Sequence, residues 1–377
     1  MTAPGTTTPA TAAPPAVVGD VAEVVPTRVG PVLRLAATDR IANADPAMYL
    51  ECRQRQALSY LRAVTASADL LKYRALGSTA EFHRHCAIQQ QPRWTMSQDL
   101  CGPEDLAALG YEVQLLGHAD LGLLPRLREL VQAGQPVTFY APAEDVGYWA
   151  DLLRRRGRPD GGGRGAHGVL VCGVSLDGEW LVTPDTTDEG PEFRTELLSV
   201  AGLRVAAAAD PEGWFVDALS LRRAAPAQPD VFADRYREMV TGLQDGFEAY
   251  EALPQLLAAD RARRPDLDQQ VASTDLLRML AGSRGLFSQF VRNTSHSGPA
   301  VATYRALGVS LSRLLGRAMG YVAGDGPADL GSWRRDLRTL RTAEVTGLRR
   351  LKDELAAGPV SVALPAERDR PTPPQPH

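Results

Sequence analysis

Cys52, His167 and Asp185 are the residues of this chain whose types and order could do covalent chemistry. His167 opens a stretch, AHGVLVCGVSLDGEWLVTPD, that reads as a β-hairpin. One apolar run (Gly168 to Val174) leads into turn chemistry at Leu176-Asp177-Gly178, and a second run (Trp180 to Val182) ends in Pro184-Asp185. Paired as written, His167 and Asp185 lie at the same end of two adjacent strands. A carboxylate there can orient an imidazole acting as general base. Such a pair needs a nucleophile, and Cys52 stands at or just before the first turn of an expected helix. The N–H groups of a helix start favour an anion, so they lower a thiol pKa and can also hold an oxyanion. Together the three residues suit thiolate attack on a carbonyl.

Three other cysteines compete. Cys172 lies five residues beyond His167, on the opposite face of the strand, and reads as a small core residue. Cys86 with His83, His85 and Cys101 invites a metal reading, but the spacing matches no standard zinc pattern, and no metal is expected. Cys101 is the serious rival, because DLCGPEDLAAL locally imitates the Asp-Cys-Gly-Pro start of a cysteine-peptidase helix.

The elements that must position these groups follow from periodicity. Residues 1–35 are a Thr/Ala/Pro-rich leader expected to be disordered, with Val32 to Leu35 able to add an edge strand. Helices are expected from about Met48 to Val64 and near Ala68 to Ala75; EFHRHCAIQQQPRWTMSQDLCG reads as polar and irregular. A helix beginning Pro103-Glu104-Asp105 ends at Gly110. Then come a strand (Tyr111 to Leu116), a helix (Pro125 to Gln132), a strand (Pro136 to Tyr140), a Gly-rich loop up to Gly165, the hairpin, and a late strand (Trp214 to Leu219). This is α+β, with helices first and an antiparallel-leaning sheet after. Pro226 and Pro229 mark a linker. Beyond it helix is expected over Phe232–Ala249, Leu253–Arg263, Asp266–Ala281, Leu286–Arg292, Pro299–Val322 and Leu330–Leu355, an all-α bundle spanning 229–357, with a disordered tail over 358–377.

Composition bounds the function. The chain has 377 residues, 41 basic against 45 acidic side chains and a formal net charge of −4, giving no reason to expect nucleic acid or an anionic membrane as partner. Only Lys72 and Lys352 among the basic residues are lysine. No apolar run could cross a bilayer, and the first residues lack a signal-peptide pattern. Four cysteines in this length make no disulfide framework, so free thiols and a cytoplasmic setting are expected.

ECRQRQALSYL, GPEDLAALGYEVQLL, LRELVQAGQPVTFYAPAEDVGYW and AHGVLVCGVSLDGEWLVTPD occur in an order that resembles the C39-like branch of the papain-like cysteine-enzyme fold. The chain is similar, over roughly residues 45–355, to the butirosin biosynthesis H family of acyltransferases, whose members often add a helical domain; GSRGLFSQFV is the best local match to it. The resemblance implies a papain-like catalytic domain over 36–222 and a triad carried over to Cys52, His167 and Asp185. Cys52 has the family nucleophile's place in the order, whereas Cys101 comes too late. The sequence departs at Glu51, where the family commonly has His, and has no Gln shortly before Cys52 to donate to an oxyanion; Gln54 and Gln56 follow it.

The resemblance further implies acyl transfer, cyclisation or hydrolysis of an acyl group taken from a carrier-protein thioester in natural-product biosynthesis. No cofactor belongs to the enzyme itself, because the phosphopantetheine arm rides on the donor, an acyl or peptidyl carrier protein. Tyr148 and Trp149 could wall the cleft for a small-molecule acyl substrate or pack in a core. Arg284 could meet the arm's phosphate or lie solvated on the surface. The bundle would cover the cleft or mediate a homodimer. Two other classes stay open: a cysteine peptidase or amidase on the same fold, and a non-catalytic papain-like binding module.

Overall fold

The computed structural model describes residues 16–17, 21–42, 52–88, 100–116, 123–142, 146–147, 166–186, 193–209, 216–263, 271–324 and 330–363. The chain opens with β1 (Ala16–Val17), β2 (Ala22–Thr27), β3 (Gly30–Leu35) and the short α1 (Thr38–Ala42). Next come α2 (Cys52–Val64), a 3-10 segment (Ala66–Ala75), α3 (Thr79–Ile88) and α4 (Pro103–Ala108). A sheet-rich stretch follows: β4 (Tyr111–Leu115), α5 (Leu123–Gln132), β5 (Val137–Pro142), β6 (Ala166–Val171), β7 (Gly173–Ser175), β8 (Trp180–Thr186), β9 (Phe193–Ser199), α6 (Val200–Ala209) and β10 (Val216–Arg223). The remainder is helical: α7 (Pro229–Gly242), α8 (Glu248–Arg263), α9 (Ala272–Val291), α10 (Gly298–Ala323) and α11 (Leu330–Ala357). The α+β class is as expected. No described helix is long and apolar enough to cross a membrane.

Contacts divide the chain into two compact units, Met1–Asn43 with Gln114–Arg222, and Ala44–Val113 with Arg223–His377. This does not follow the linear division into 36–222 and 229–357. The first unit contains a six-stranded sheet of order β1-β2-β3-β7-β8-β9; β10, β5 and β6 belong to a four-stranded sheet of order β4-β10-β5-β6. Leu127, Val137, Phe139, Val169, Val171, Leu181 and Leu198 share its apolar core. The leader is therefore corrected: β2 and β3 pair antiparallel from Ala22↔Leu35 to Thr27↔Gly30, and β3 is internal because it also pairs β7. Its Val32, Leu33 and Leu35 are buried, enough apolar surface to order a segment whose composition argued against it. Residues 1–15 of that leader lie outside the described residues.

In the second unit the 3-10 segment and α3 pack on α9, so the early helices and the late bundle share one core. Tyr73 meets Phe232 and Phe290 at ring-centroid separations of 6.1 and 6.0 Å, and Tyr236, Phe287 and Tyr304 extend the cluster. Asp105 is fully buried in the first turn of α4, accepting from Tyr73 Oη at 2.8 Å and pairing with Arg74 and Arg235. Burial, then the Asp105 charge, pushes the Tyr73 phenol up. The expected linker is held down: Ala224 and Ala225 donate to the Gly110 carbonyl at 2.8 and 3.1 Å. Gly110 has φ +89° and sits against the Ala225 carbonyl, where a Cβ has no room.

Two expected helix boundaries move for local reasons. The break expected near Ala249 falls at 243–247, where Phe247 adopts φ 57° and its N–H donates to Asp245 Oδ1 at 2.8 Å. The break expected after Ala281 is missing, because α9 runs straight through Gly282 and Gly285. A Cβ on Gly308 would lie 3.0 Å from the Gly285 backbone, so glycine here permits helix contact instead of ending a helix. The tail begins later than expected: Ala363 N donates to Asn293 O at 2.7 Å and Ser295 N to Ser361 O at 3.0 Å, pinning 361–363 to the α9–α10 connection.

Candidate active site

The apolar run after His167 is not one hairpin strand. It breaks at Cys172, whose N–H donates to Val182 O at 2.8 Å and whose carbonyl accepts from Leu35 N at 2.7 Å. Before the break, β6 pairs β5 with His167 opposite Ala141; after it, β7 pairs β8 with Gly173↔Val182 and Val174↔Leu181. Gly173 is required there, since a Cβ would meet the Leu33 carbonyl at 2.7 Å. The turn is as read: Gly178 has φ +80° and Asp177 accepts from Glu179 N at 3.0 Å.

β8 runs on past Pro184, with Asp185 opposite Arg194 of β9. His167 and Asp185 are thus not a cross-strand pair. β6 and β8 nevertheless come close to one another, although they belong to different sheets. His167 is 3 % exposed and the Asp185 side chain lies outside the described residues.

Cys52 is the first residue of α2, a 13-residue helix in the second unit, while His167 and Asp185 belong to the first. Its side chain lies outside the described residues. Cys101 belongs to the same unit as Cys52, half-buried, and its thiol reaches the Gln54 carbonyl at 3.8 Å. The rival thiol therefore sits against the first turn of the same helix, which the distance along the sequence did not suggest. Gln54 is occupied nearby, its Oε1 accepting from Leu100 N at 3.3 Å. Cys172 is fully buried, and burial pushes its thiol pKa well up, so it holds no thiolate at neutral pH. That is the core role expected of it.

Arg284 departs from both expectations for it. It is fully buried and so is not solvated on the surface. Its guanidinium donates to Glu344 (Nε–Oε1 2.7 Å), Gly77 O (2.9 Å) and Ser283 Oγ (2.6 Å), so its donors are spent inside the helical unit and it does not serve as a phosphate contact. His296 is also held inside the helical unit, with Tyr236 Oη at 2.6 Å from Nε2 and Glu354 Oε2 at 2.7 Å from Nδ1. Tyr148, Trp149 and His118 lie outside the described residues, as do the side chains of His85 and Cys86.

Both missed networks join residues 60 positions apart or nearly so, Arg284 to Glu344 and His296 to Glu354. The one sequence signal for the first is a charge inside the otherwise apolar face of GSRGLFSQFV. No family model matches this chain, and a search of curated proteins returns no match.

Proposed function

We propose that the chain is a cytoplasmic cysteine enzyme of papain-like, C39-like fold that takes an acyl group from a carrier-protein thioester through an acyl-Cys52 intermediate. The observation that carries the reading is that Cys52 heads α2. A thiol in that place gains from the positive end of the helix dipole, carried by the N–H groups of the first turn, which favours its thiolate. The same first-turn N–H groups suit the charge that develops on a carbonyl oxygen during attack. His167, buried near the start of β6, and Asp185, on the neighbouring β8, supply a base and its orienter.

In the first half-reaction the Cys52 thiolate attacks the thioester carbonyl, its proton having passed to His167. The tetrahedral intermediate collapses with loss of the pantetheine thiolate, which takes the proton back from His167. In the second, an amine, an internal nucleophile or water gives its proton to His167 as it attacks the acyl-Cys52 carbonyl; collapse of that intermediate breaks the acyl C–S bond, releasing the product and the Cys52 thiolate, which takes the proton from His167. Transfer, cyclisation and hydrolysis differ only in that acceptor. The donor class rests on the resemblance in motif order; the nucleophile and base rest on the residues.

Intact mass spectrometry after incubation with an acyl-loaded carrier protein tests this. Wild type is expected to gain the acyl mass, Cys101→Ala to gain it equally and Cys52→Ala not at all. An adduct that survives Cys52→Ala and vanishes in Cys101→Ala overturns the assignment in favour of the thiol beside Gln54.

A further inference from the structure

We propose that the groove between α9 and α10 docks an acidic helix of a partner protein. α10 (GPAVATYRALGVSLSRLLGRAMGYVA) contains three arginines and no carboxylate, in a chain whose formal net charge is −4. Arg317 is neutralised by Asp336 at 2.6 Å. Arg305 and Arg313 are exposed and, with exposed Arg292 at the end of α9, form no ion pair among the described residues. These three arginines and Val309 line two adjoining hollows of about 570 and 610 Å³, and no Asp or Glu lines either. Val309 is 47 % exposed between them. The close approach at Gly285 and Gly308 sets the floor. Ser288 and Ser312 spend their hydroxyl protons on the carbonyls of Gly285 and Gly308, so the arginines are the groove's cationic donors.

Length and chemistry select the occupant. Arg305 and Arg313 are two turns apart, about 12 Å along the helix axis, with an apolar side chain midway. A single phosphate presents one compact charge and gives Val309 nothing to cover. A helix carrying carboxylates on successive turns, with an apolar residue between them, matches both the charge spacing and the exposed valine. Exposed, unpaired arginines also steer an acidic surface into register, and salt screens that attraction. We take the partner to be the carrier-protein donor, so its identity rests on the proposed function, whereas the groove does not.

The test separates the two. The probe is a purified holo-acyl carrier protein with a Glu/Asp-rich exposed helix, measured by fluorescence anisotropy at low and at 0.3 M salt. The comparison is wild type against Arg305→Glu/Arg313→Glu, exposed positions at which folding is checked by circular dichroism. Cys52 acylation is read in parallel from the acyl-loaded carrier and from a small acyl-N-acetylcysteamine thioester. Binding that is salt-sensitive and weakened about tenfold or more by the double variant, with acylation from the small thioester retained, is expected. Absent or salt-insensitive carrier binding, or binding the double variant leaves unchanged, overturns the docking site even if Cys52 is acylated. Failure of Cys52 to acylate from either donor overturns the proposed reaction, and the anisotropy result then judges the groove alone.

Discussion

Arg284 of α9 and Glu344 of α11 form an ion pair at the centre of the helical unit, with side chains 0 % and 2 % exposed. Tyr250 of α8 donates to the other carboxylate oxygen, and Ser283 donates to Ala75 O, so this network ties three helices to the 3-10 segment. Removing one member leaves the other charge buried without its partner. Arg284→Met is therefore expected to lower unfolding stability by about 3–5 kcal/mol. Arg284→Met/Glu344→Leu is expected to recover much of that loss, as read from urea midpoints. A double variant no better than the single one would show that the pair is not the unit that matters.

His296 and Glu354 set an acid limit. Burial is the largest influence on His296 and holds its pKa below the usual 6.5, against the pull of Glu354. The unfolded chain then takes up a proton first as pH falls. The stability contributed by the neutral imidazole is present above about 6.5 and is lost as pH drops through the lower folded value. Urea midpoints from pH 8 to 5 are expected to decline in wild type. In His296→Gln, which keeps an amide between Tyr236 and Glu354, the curve should be flatter.

Asp275 acts in the opposite direction. Burial, only partly offset by Arg278, pushes its carboxyl up to about 6. The folded form prefers it protonated, so its ionisation costs stability fully above that value and none below the unfolded value near 3.8. Asp275→Asn is expected to raise stability at pH 8 by about 1–3 kcal/mol and to leave it unchanged or lower near pH 4. Melting temperatures at the two pH values check the sign.

Glycine substitutions should rank by what a Cβ meets. Gly110→Ala would place it about on the Ala225 carbonyl at positive φ, and Gly308→Ala would press on the Gly285 backbone at 3.0 Å. Both are expected to cost about 1–3 kcal/mol. Gly316→Ala, in open space on α10, is expected to stabilise by up to about 1 kcal/mol. Thermal denaturation of the three variants in parallel tests the order.

Base chemistry can be checked away from the nucleophile. His167→Ala is expected to slow Cys52 acylation by about 10²–10⁴-fold in a stopped time course. Iodoacetamide at pH 8 should spare Cys172, whose buried thiol stays protonated, in wild type and variant alike. Unchanged acylation in His167→Ala would remove that residue from the reaction.

Periodicity and end chemistry determined most of the helices and strands on their own. The helix ending at Val64, the Pro103 start and the turn at Gly178 are all local events, and a local sequence is enough to specify them. Tertiary packing alone decided what sequence-distant residues could do for one another. Pairing with β7 turned the supposed leader into internal β3, and the Gly285–Gly308 contact kept α9 whole. The shared aromatic core joined the early helices to the late bundle. At the candidate site, the sequence indicated a cysteine at a helix start and a His and an Asp on neighbouring strands. It did not reveal the break at Cys172 that sets His167 opposite Ala141 and leaves Asp185 opposite Arg194. Nor did it reveal that Cys101 reaches Gln54 or that Arg284 is walled in, because burial depends on which surfaces fold over a residue, and those surfaces lie far away along the chain.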